Sequence, residues 1–362
     1  MLIKCIALNC RFTHSCPALF YVRNELKKVS GATIVLEHYT INDPYYETLL
    51  KITEDEPDFL FFSVYIWNAD FIFRLARDAA AILPEARIVF GGPQITYMDR
   101  TAIPDHVTLV RGEVEGLPES FYTDLQQGFL QKEYKASFGR AFSFPYEDED
   151  FTTHLKNRNI YYESSRGCPF SCSYCLSSIE HGVWTKDVEE VKKELAKILI
   201  HRPKMIRFID RTFNLEPSRT IEIWRFLIAH EGETAFHFEI GPDRFTEEMF
   251  SFLKTVPNGR FRFEIGLQST NPETLRAVNR RMKMDTVPAT ISRLADLDTI
   301  HLHLDLILGL PHETERTFKK SFNDVYALAP HYIQMGLLKV LPGTALAKNQ
   351  ETLGITCRSK PA

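Results

Sequence analysis

Apolar residues follow two alternating periodicities along the first part of the chain. Short runs rich in β-branched and aromatic residues predict strands, and segments in which apolar residues recur every three or four positions predict helices. The strand pattern occurs in LIKCIALN, TIVLEHYT, FLFFSVYIW, RIVFGGPQ and VTLVRGE, and the helical pattern in PALFYVRNELKKV and ADFIFRLARDAAAIL. Because strands that alternate with helices form parallel sheets, residues 1–128 are predicted to form a doubly wound parallel sheet of the flavodoxin-like kind.

The alternation resumes after a break. Residues 129–157 lose the periodicity and include GRAFSFPYEDEDF, so they are interpreted as a linker. Six strand candidates follow, which are IYYESSRGC, MIRFIDRTF, AFHFEIGPD, RFRFEIGLQS, HLHLDLILGLP and YIQMGLLKVLPG. Helical patterns such as DVEEVKKELAKILI separate them. We therefore predict a partial (β/α)6 TIM-like barrel over 158–345, with its chemistry at the carboxyl ends of the strands, and a tail over 346–362.

Composition excludes several classes of partner. The chain has 362 residues and a formal net charge of −4, so it lacks the basic footprint of a duplex nucleic acid-binding protein or a polybasic membrane patch. The N-terminus MLIKCIALNC has no cleavage pattern of a signal peptide, and FLFFSVYIW is too short to span a bilayer. A cytoplasmic location is predicted. Seven cysteines in such a chain favour metal or redox chemistry over a disulfide framework.

Three of these cysteines are concentrated in GCPFSCSYC, at Cys168, Cys172 and Cys175. A structural zinc site requires four ligands, commonly as two CxxC pairs, and only one such pair exists here, with Cys357 far away in the sequence. Three thiolates on a 4Fe-4S cluster leave one iron with an open position, which a catalytic metal site needs. The spacing therefore favours a cluster that binds a ligand at its fourth iron, with structural zinc or a chance grouping as the alternatives.

This CxxxCxxC loop, with Tyr174 before its last cysteine, resembles that of the radical S-adenosylmethionine (SAM) superfamily. The resemblance implies that SAM binds the unique iron and that an electron entering its sulfonium produces a 5′-deoxyadenosyl radical. It also implies SAM contacts at strand ends, by Asp210 after the second barrel strand, by Gln268 and Ser269 after the fourth, and by Gly309 after the fifth, together with Tyr174. The alternative is that such polar residues cap the following helices.

Three histidines, at positions 181, 301 and 303, lie near the predicted site in the sequence. His301 and His303 alternate in HLHLD and share one face of a strand, where packing is favoured over ligation. His181 follows the last cysteine by six residues and is placed either near the substrate or in a solvated loop.

The loops after the predicted strands of the first domain indicate a second cofactor. A doubly wound domain before a radical SAM barrel resembles the cobalamin-binding radical SAM family, over residues 1–345, and the segments DRTFN and FEIGLQSTNPETL place it nearest one branch of that family. The resemblance implies a corrin sandwiched between the two domains. The candidate cobalamin-binding residues are Asn9, His14, Ser15, Ser63, Tyr65, Trp67, Gly91, Gly92, Pro93, Gly112 and Glu113. Retention of the fold without the cofactor is the alternative.

The lower axial ligand is the main departure from the cobalamin pattern. The DxHxxG loop of cobalamin-dependent methionine synthase is absent, and His14 lies in the corresponding first loop without the flanking Asp and Gly. Cobalt ligation by His14 and a non-ligating position beside the corrin both stay open.

The function implied by the resemblance is methyl transfer to an unactivated carbon of a small molecule or peptide. The alternatives are a radical cyclase or rearrangement enzyme that uses cobalamin as an electron relay, and a non-catalytic iron-sulfur sensing module. An electron donor such as flavodoxin or ferredoxin is expected. The sequence points to no particular catalytic residue. Because relatives continue into a further helical region, we expect the tail to be truncated and Cys357 to be a free thiol.

Overall fold

The chain divides into two compact units, Met1–Asn159 and Ile160–Ala362. The structure, a computed structural model, describes residues 1–137, 142–180 and 182–357. His181 and parts of the expected linker and tail therefore lie outside the described residues. The domain boundaries derived from the sequence stay predictions.

The first unit is built on one parallel sheet. Its strands are β1 (Leu2–Asn9), β2 (Thr33–Thr40), β3 (Phe59–Ser63), β4 (Arg87–Gly91), β5 (Val107–Arg111) and β6 (Glu133–Lys135). They pair in parallel in the order β2-β1-β3-β4-β5-β6. This is the flavodoxin-like order with one additional edge strand, so the predicted fold class of the first unit is confirmed.

Helices of the first unit cover this sheet. They are α1 (Pro17–Leu26), α2 (Tyr45–Thr53), α3 (Ala69–Ile82), α4 (Pro93–Tyr97), α5 (Glu119–Gln126) and α6 (Asp150–Thr153). In α3 the apolar residues Ile72, Leu75 and Ala79 recur at helical spacing, and all are buried in the core against β3 and β4. The apolar face of the helix thus fixes its position on the sheet.

The segment 129–157 differs from a plain linker. It contains β6, whose Tyr134 is buried and whose backbone pairs with β5. Three residues are too few to show an alternating pattern, which is why the sequence did not indicate this strand.

The second unit begins with an interrupted strand. The segment IYYESSRGC forms β7 (Ile160–Tyr162) and then β8 (Ser165–Cys168), which pairs antiparallel with β9 (Gly182–Thr185). Gly167 has a φ of +93°, and a Cβ at this position would lie 2.2 Å from the Gly182 carbonyl oxygen. Only glycine permits this close approach, which turns the chain toward the cysteine loop.

The remaining strands of the second unit form a parallel sheet with β7. They are β10 (Met205–Phe208), β11 (Ala235–Glu239), β12 (Phe261–Gln268), β13 (Ile300–Leu308) and β14 (Tyr332–Leu337). Their order is β14-β13-β12-β11-β10-β7, the sequential order of a partial barrel. The predicted (β/α)6 class is confirmed.

Helices lie between these strands and after the last one. They are α7 (Val188–Leu199), α8 (Pro217–Ala229), α9 (Glu247–Leu253), α10 (Pro272–Ala277), α11 (Val287–Ala295), α12 (Glu315–Tyr326) and α13 (Ala345–Lys348). Among the described residues, no helix has both the length and the apolar character needed to cross a bilayer. The cytoplasmic location stays a prediction.

Candidate functional site

The three clustered cysteines line one open pocket of about 200 Å³ in the second unit. Cys172 is buried, whereas Cys168 and Cys175 are partly exposed toward the pocket. Among the described residues, no three His, Cys, Asp or Glu side chains are grouped so that they could hold a single metal ion. A 4Fe-4S cluster does not need such a group, because its thiolates bind different iron atoms. The donor set therefore fits the predicted cluster.

The cysteine loop is held by the segment that follows α10. The Ser173 amide donates to the Val278 carbonyl at 2.9 Å, and the Asn279 side-chain amide donates to the Ser171 carbonyl at 3.0 Å. Arg280 Nη1 lies 3.6 Å from Cys172 Sγ. These contacts hold the loop, and a cation lies beside one of its thiols.

Tyr174 anchors the middle of the same loop. Its ring packs against Val278, Leu310 and Leu346, and it also lines the pocket. Burial raises the pKa of its phenol, so the side chain stays neutral at physiological pH. Its predicted contact with SAM stays a prediction, and the packing gives it a structural role as well.

Gln268 is the polar strand-end residue that reaches the pocket. It has a φ of +72°, at an irregularity in the pairing of β12 with β13. Its Oε1 is buried without a hydrogen-bond partner among the described residues. A strained backbone and an unpartnered acceptor in a pocket wall indicate a ligand-binding position.

Asp210 lies behind the pocket rather than in its lining. It is fully buried, and its carboxylate accepts hydrogen bonds from the Ser164 amide at 3.0 Å, Ser164 Oγ at 2.5 Å and Ser165 Oγ at 2.6 Å. Arg219 donates to the Ser164 carbonyl at 3.0 Å. The strand break at Ser164 accounts for this arrangement, because it turns two serines toward Asp210. The geometry supports a structural role, and the SAM contact stays untested.

Ser269 and Gly309 also lie outside the pocket lining. Ser269 is fully buried, and its hydroxyl donates to Glu313 at 2.7 Å and accepts from the Asn271 amide at 3.1 Å. This is the helix-capping alternative, since Asn271 caps α10. Gly309 has a φ of +95° in the turn after β13. This backbone conformation explains why glycine occupies the position.

Seven charged residues that were not among the predicted site residues line the pocket. They are Arg211, Glu239, Asp243, Glu264, Arg280, Arg281 and Asp305. A signal was present, because buried and partly exposed positions alternate along β12 and β13 and the polar positions share the inner face. The sequence could not show which of the two faces was the inner one.

A charge network lies on this inner face. His237 Nε2 is 2.8 Å from Glu264 Oε2, and Arg207 Nη2 is 3.4 Å from the same oxygen. Although burial opposes ionisation, the contact with His237 leaves the pKa of Glu264 lowered. Burial raises the pKa of Glu239 to about 7, against the charge of Arg211.

The alternating histidines of β13 belong to the same inner face. His301 stacks on His331 with 4.9 Å between ring centroids, and His303 Nε2 lies 3.3 Å from Asp305 Oδ1. Burial lowers the pKa of both His301 and His303, so both are neutral at physiological pH. These contacts agree with packing rather than metal ligation.

The candidate cobalamin residues of the first unit lie at the carboxyl ends of β1, β3, β4 and β5 and in the loops that follow. Asn9 is buried, and its Nδ2 has no hydrogen-bond partner among the described residues. Ser63 is buried and lies 3.6 Å from Cys16 Sγ. The sheet thus brings these residues to the edge at which ligands of doubly wound folds bind.

Glycine at two of these strand ends is required by the backbone. Gly91 ends β4, Gly92 has a φ of +102°, and Pro93 begins α4. A Cβ on Gly92 would lie 2.6 Å from the Val64 carbonyl oxygen. Gly112 has a φ of +90°, and its Cβ would lie 3.1 Å from the carbonyl oxygen of the residue after β6. The glycines are therefore explained by packing within the unit, whatever they contact besides.

The loop residues of the first unit include several that are already bonded. The His14 carbonyl accepts from Arg158 at 2.8 Å, and Ser15 Oγ donates to the Asn159 carbonyl at 2.9 Å. Glu113 precedes a short 3₁₀ turn after β5. Cobalt ligation by His14 stays untested.

Two aromatic rings form a partly exposed platform after β3. Tyr65 and Trp67 stack with 4.3 Å between centroids, and 48% of the Trp67 surface is exposed. Such a surface suits a large planar or apolar ligand.

Comparison with known proteins assigns both units. The family model of the B12 binding domain matches residues 3–121, and that of the Radical SAM superfamily matches residues 162–325. The cobalamin-dependent radical SAM methyltransferase TokK of Streptomyces tokunonensis is 24% identical, over 80% of this chain and 48% of the relative. The 2-(S-pantetheinyl)-carbapenam-3-carboxylate methyltransferase of Streptantibioticus cattleyicolor is also 24% identical, over 84% and 50%. The chain thus spans about half the length of these curated relatives.

Solved structures share the fold. The radical SAM methyltransferase TsrM from Kitasatospora setae, with cobalamin and a 4Fe-4S cluster bound, matches with a TM-score of 0.74 and 15% identity, over 99% of this chain and 76% of that one. The cobalamin-dependent SAM radical enzyme OxsB matches with a TM-score of 0.70 and 14% identity, over 98% and 56%.

Fold and site define a protein that joins a B12-binding doubly wound domain to a radical SAM partial barrel. The chain belongs to the cobalamin-binding radical SAM family, as the sequence resemblance predicted. The predicted set of cofactors, a 4Fe-4S cluster, SAM and cobalamin, is confirmed at the level of the domains that bind them.

Proposed function

We propose that this protein is a cobalamin-dependent radical SAM methyltransferase that acts on an unactivated carbon of a small molecule or peptide. The observation that carries the proposal is the pocket in which Cys168, Cys172 and Cys175 meet Gln268, whose carbonyl has no hydrogen-bond partner among the described residues. The names of TokK and of the carbapenam methyltransferase support methyl transfer as the reaction class.

The residues of the pocket fit the cofactors in chemistry. The three cysteines would hold the cluster, Gln268 offers an acceptor to hydroxyl or amino groups of SAM, and Glu239 and Asp305 offer carboxylates to its cation. When bound, SAM supplies a 5′-deoxyadenosyl radical and cobalamin carries the methyl group. The protein fixes the loop, the charges and the strand ends around these groups.

In the first unit, the corrin would lie over the carboxyl edge of the sheet. The partly exposed Tyr65–Trp67 platform and the buried amide of Asn9 support this position. His14 and the glycine-bearing loops belong to the same proposed site.

Product analysis tests the proposal. Anaerobically reconstituted protein with hydroxocobalamin, SAM and dithionite should form both 5′-deoxyadenosine and S-adenosylhomocysteine, and the Cys172→Ala variant should form neither. Deoxyadenosine alone would contradict methyl transfer and favour the radical cyclase or rearrangement. Absence of SAM cleavage in protein with a full cluster would leave only the sensing module.

A further inference from the structure

A strongly basic segment begins in the last turn of α10 and continues beyond the helix. Residues 276–283, RAVNRRMK, carry four cationic side chains and no acidic one, in a chain whose net charge is −4. We call residues 276–283 the basic segment. Arg280 donates to the Gly266 carbonyl, and none of the four cations forms an ion pair with an acidic side chain among the described residues. A local excess of one sign on a chain of the other sign indicates an interaction surface.

The basic segment packs directly on the cysteine loop. The Val278 carbonyl accepts from the Ser173 amide at 2.9 Å, and Asn279 donates both to the Ser171 carbonyl at 3.0 Å and to Ser171 Oγ at 2.6 Å. Ser171 stands between two of the three cysteines, and it is exposed. The exposed surface at Ser171, between two of the expected cluster ligands, is therefore next to the basic segment.

The cations of the basic segment divide into two sets. Arg280 turns inward to Cys172, whereas Arg276, Arg281 and Lys283 are exposed, and Arg281 also lines the pocket. The Arg281 guanidinium donates to Asn279 Oδ1 at 3.1 Å, which fixes it beside the loop.

The acidic groups nearest in the chain do not cancel this charge. Glu273 lies 3.6 Å from His312 Nδ1, and Asp285 is a single exposed acid after the segment. Within residues 271–285 the cationic side chains therefore outnumber the acidic ones by four to two.

We propose that the exposed cations of the basic segment and the adjacent surface of the cysteine loop dock an acidic one-electron carrier protein of the flavodoxin or ferredoxin kind. The inference rests on the proposed function, in which the cluster must be reduced before SAM is cleaved. The docked carrier is oxidised by one electron, which passes to the cluster, and no proton or bond is exchanged. Complementary charge brings an acidic carrier to the side of the loop at which the electron has the shortest path.

A charge-reversal variant tests the docking surface. Arg276→Glu/Lys283→Glu changes two exposed residues outside the pocket lining. With reduced flavodoxin as the probe, the rate of 5′-deoxyadenosine formation should fall about tenfold at low salt, because charges at the rim of an interface set the association rate. With dithionite, which needs no docking, the rate should stay within about twofold of the unchanged protein.

The matched control is Lys204→Glu/Lys254→Glu, which makes the same change of charge. Lys204 immediately precedes β10 and Lys254 follows the last turn of α9, so both exposed lysines lie toward the amino ends of the strands, away from the cysteine loop. This control should keep the rate with flavodoxin. Equal loss in both variants, or unchanged reduction by flavodoxin in the first, would overturn the proposal.

Calorimetric titration with flavodoxin gives a readout that does not depend on turnover. Association should weaken with added salt in the unchanged protein and in the control, and it should be lost in Arg276→Glu/Lys283→Glu. If dithionite supports no SAM cleavage at all, the proposed function fails, yet this titration still decides the docking surface. No association of flavodoxin at low salt would overturn it.

Discussion

Two strands, one from each unit, show how differently the two parallel sheets present a ligand site. All five residues of β3 in the first unit are buried, whereas buried and partly exposed residues alternate along β13 in the second. When both faces of a sheet are covered, the side chains of its strands pack against the covering layers. The ligand residues of such a sheet are therefore confined to the loops at its carboxyl edge. A curved partial barrel turns one face of every strand inward, so charged strand residues themselves line the pocket.

The two regions also offer a ligand different kinds of chemical group. The carboxyl edge of the first sheet presents glycines, small polar residues and the stacked Tyr65–Trp67 pair. The barrel pocket presents thiols, carboxylates and guanidinium groups. A large planar corrin suits the first set, and a sulfonium nucleotide on an iron cluster suits the second.

Removal of a cysteine should give the largest effect, and it should affect the second region only. Cys172→Ala deletes the buried thiol beside Arg280, so iron content should fall and SAM cleavage should drop at least about a hundredfold. Cys357→Ala, at an exposed thiol of the tail, is the control and should keep both. Retention of hydroxocobalamin by the first unit should be unchanged in either variant. Full iron binding by Cys172→Ala would contradict the assignment of the cluster.

Asp210→Ala should give the next largest effect, on stability rather than on binding. Asp210 accepts from Ser164 and Ser165, and its loss leaves buried hydroxyl groups without an acceptor near Arg219. We expect the free energy of unfolding to fall by about 3 kcal/mol, measured by denaturant titration.

Gln268→Ala is the matched comparison for Asp210. Its side chain lines the pocket without a partner, so its removal should leave the unfolding transition nearly unchanged and weaken SAM binding about tenfold. If instead Asp210→Ala kept its stability and lost SAM, the sequence-based contact would be right and the structural role wrong.

These two residues also show what the sequence could and could not establish. Runs and alternations of apolar residues sufficed for the two sheets, and CxxxCxxC sufficed for the cysteine loop, because both signals are local. Asp210 and Gln268 have the same kind of position, at the end of a strand. Whether such a residue faces the pocket depends on the break of the first barrel strand at Ser164 and on the irregular pairing of β12, and neither has a sequence signal.

A related reason explains why the sequence did not predict the charged residues that line the barrel pocket. Glu264 and Asp305 stand in alternating segments, but a pattern of period two defines two faces without saying which one lies inside. Because charged side chains are usually exposed to solvent, the sequence alone would place these carboxylates on the outer face of the sheet. The structure places both carboxylates in the pocket lining, where Arg207 and His237 contact Glu264 and His303 contacts Asp305.

Gly92→Ala tests the first region in isolation. The new Cβ would meet the Val64 carbonyl oxygen at a φ that disfavours alanine, so we expect a loss of about 2 kcal/mol in unfolding free energy and weaker retention of hydroxocobalamin. Gly31→Ala, also at a positive φ but with nothing within 4 Å, should cost about 1 kcal/mol and retain the corrinoid. Iron content should not change in either. Equal costs for the two glycines would mean that close packing on Val64 is unimportant.

The smallest effect expected is a dependence of SAM binding on pH, which should be confined to the second region. Burial raises the pKa of Glu239 to about 7 and also raises the pKa of Asp305, so both carboxyl groups are largely protonated at pH 6. A sulfonium cation binds the ionised carboxylate more tightly than the neutral acid, so binding should release protons and the affinity should rise with pH. We expect about a threefold gain between pH 6.5 and 8.5 in calorimetric titrations of cluster-loaded protein with SAM. Glu239→Gln should reduce this pH dependence and leave the part due to Asp305. An affinity that fell with rising pH would show that these carboxylates do not face the cation.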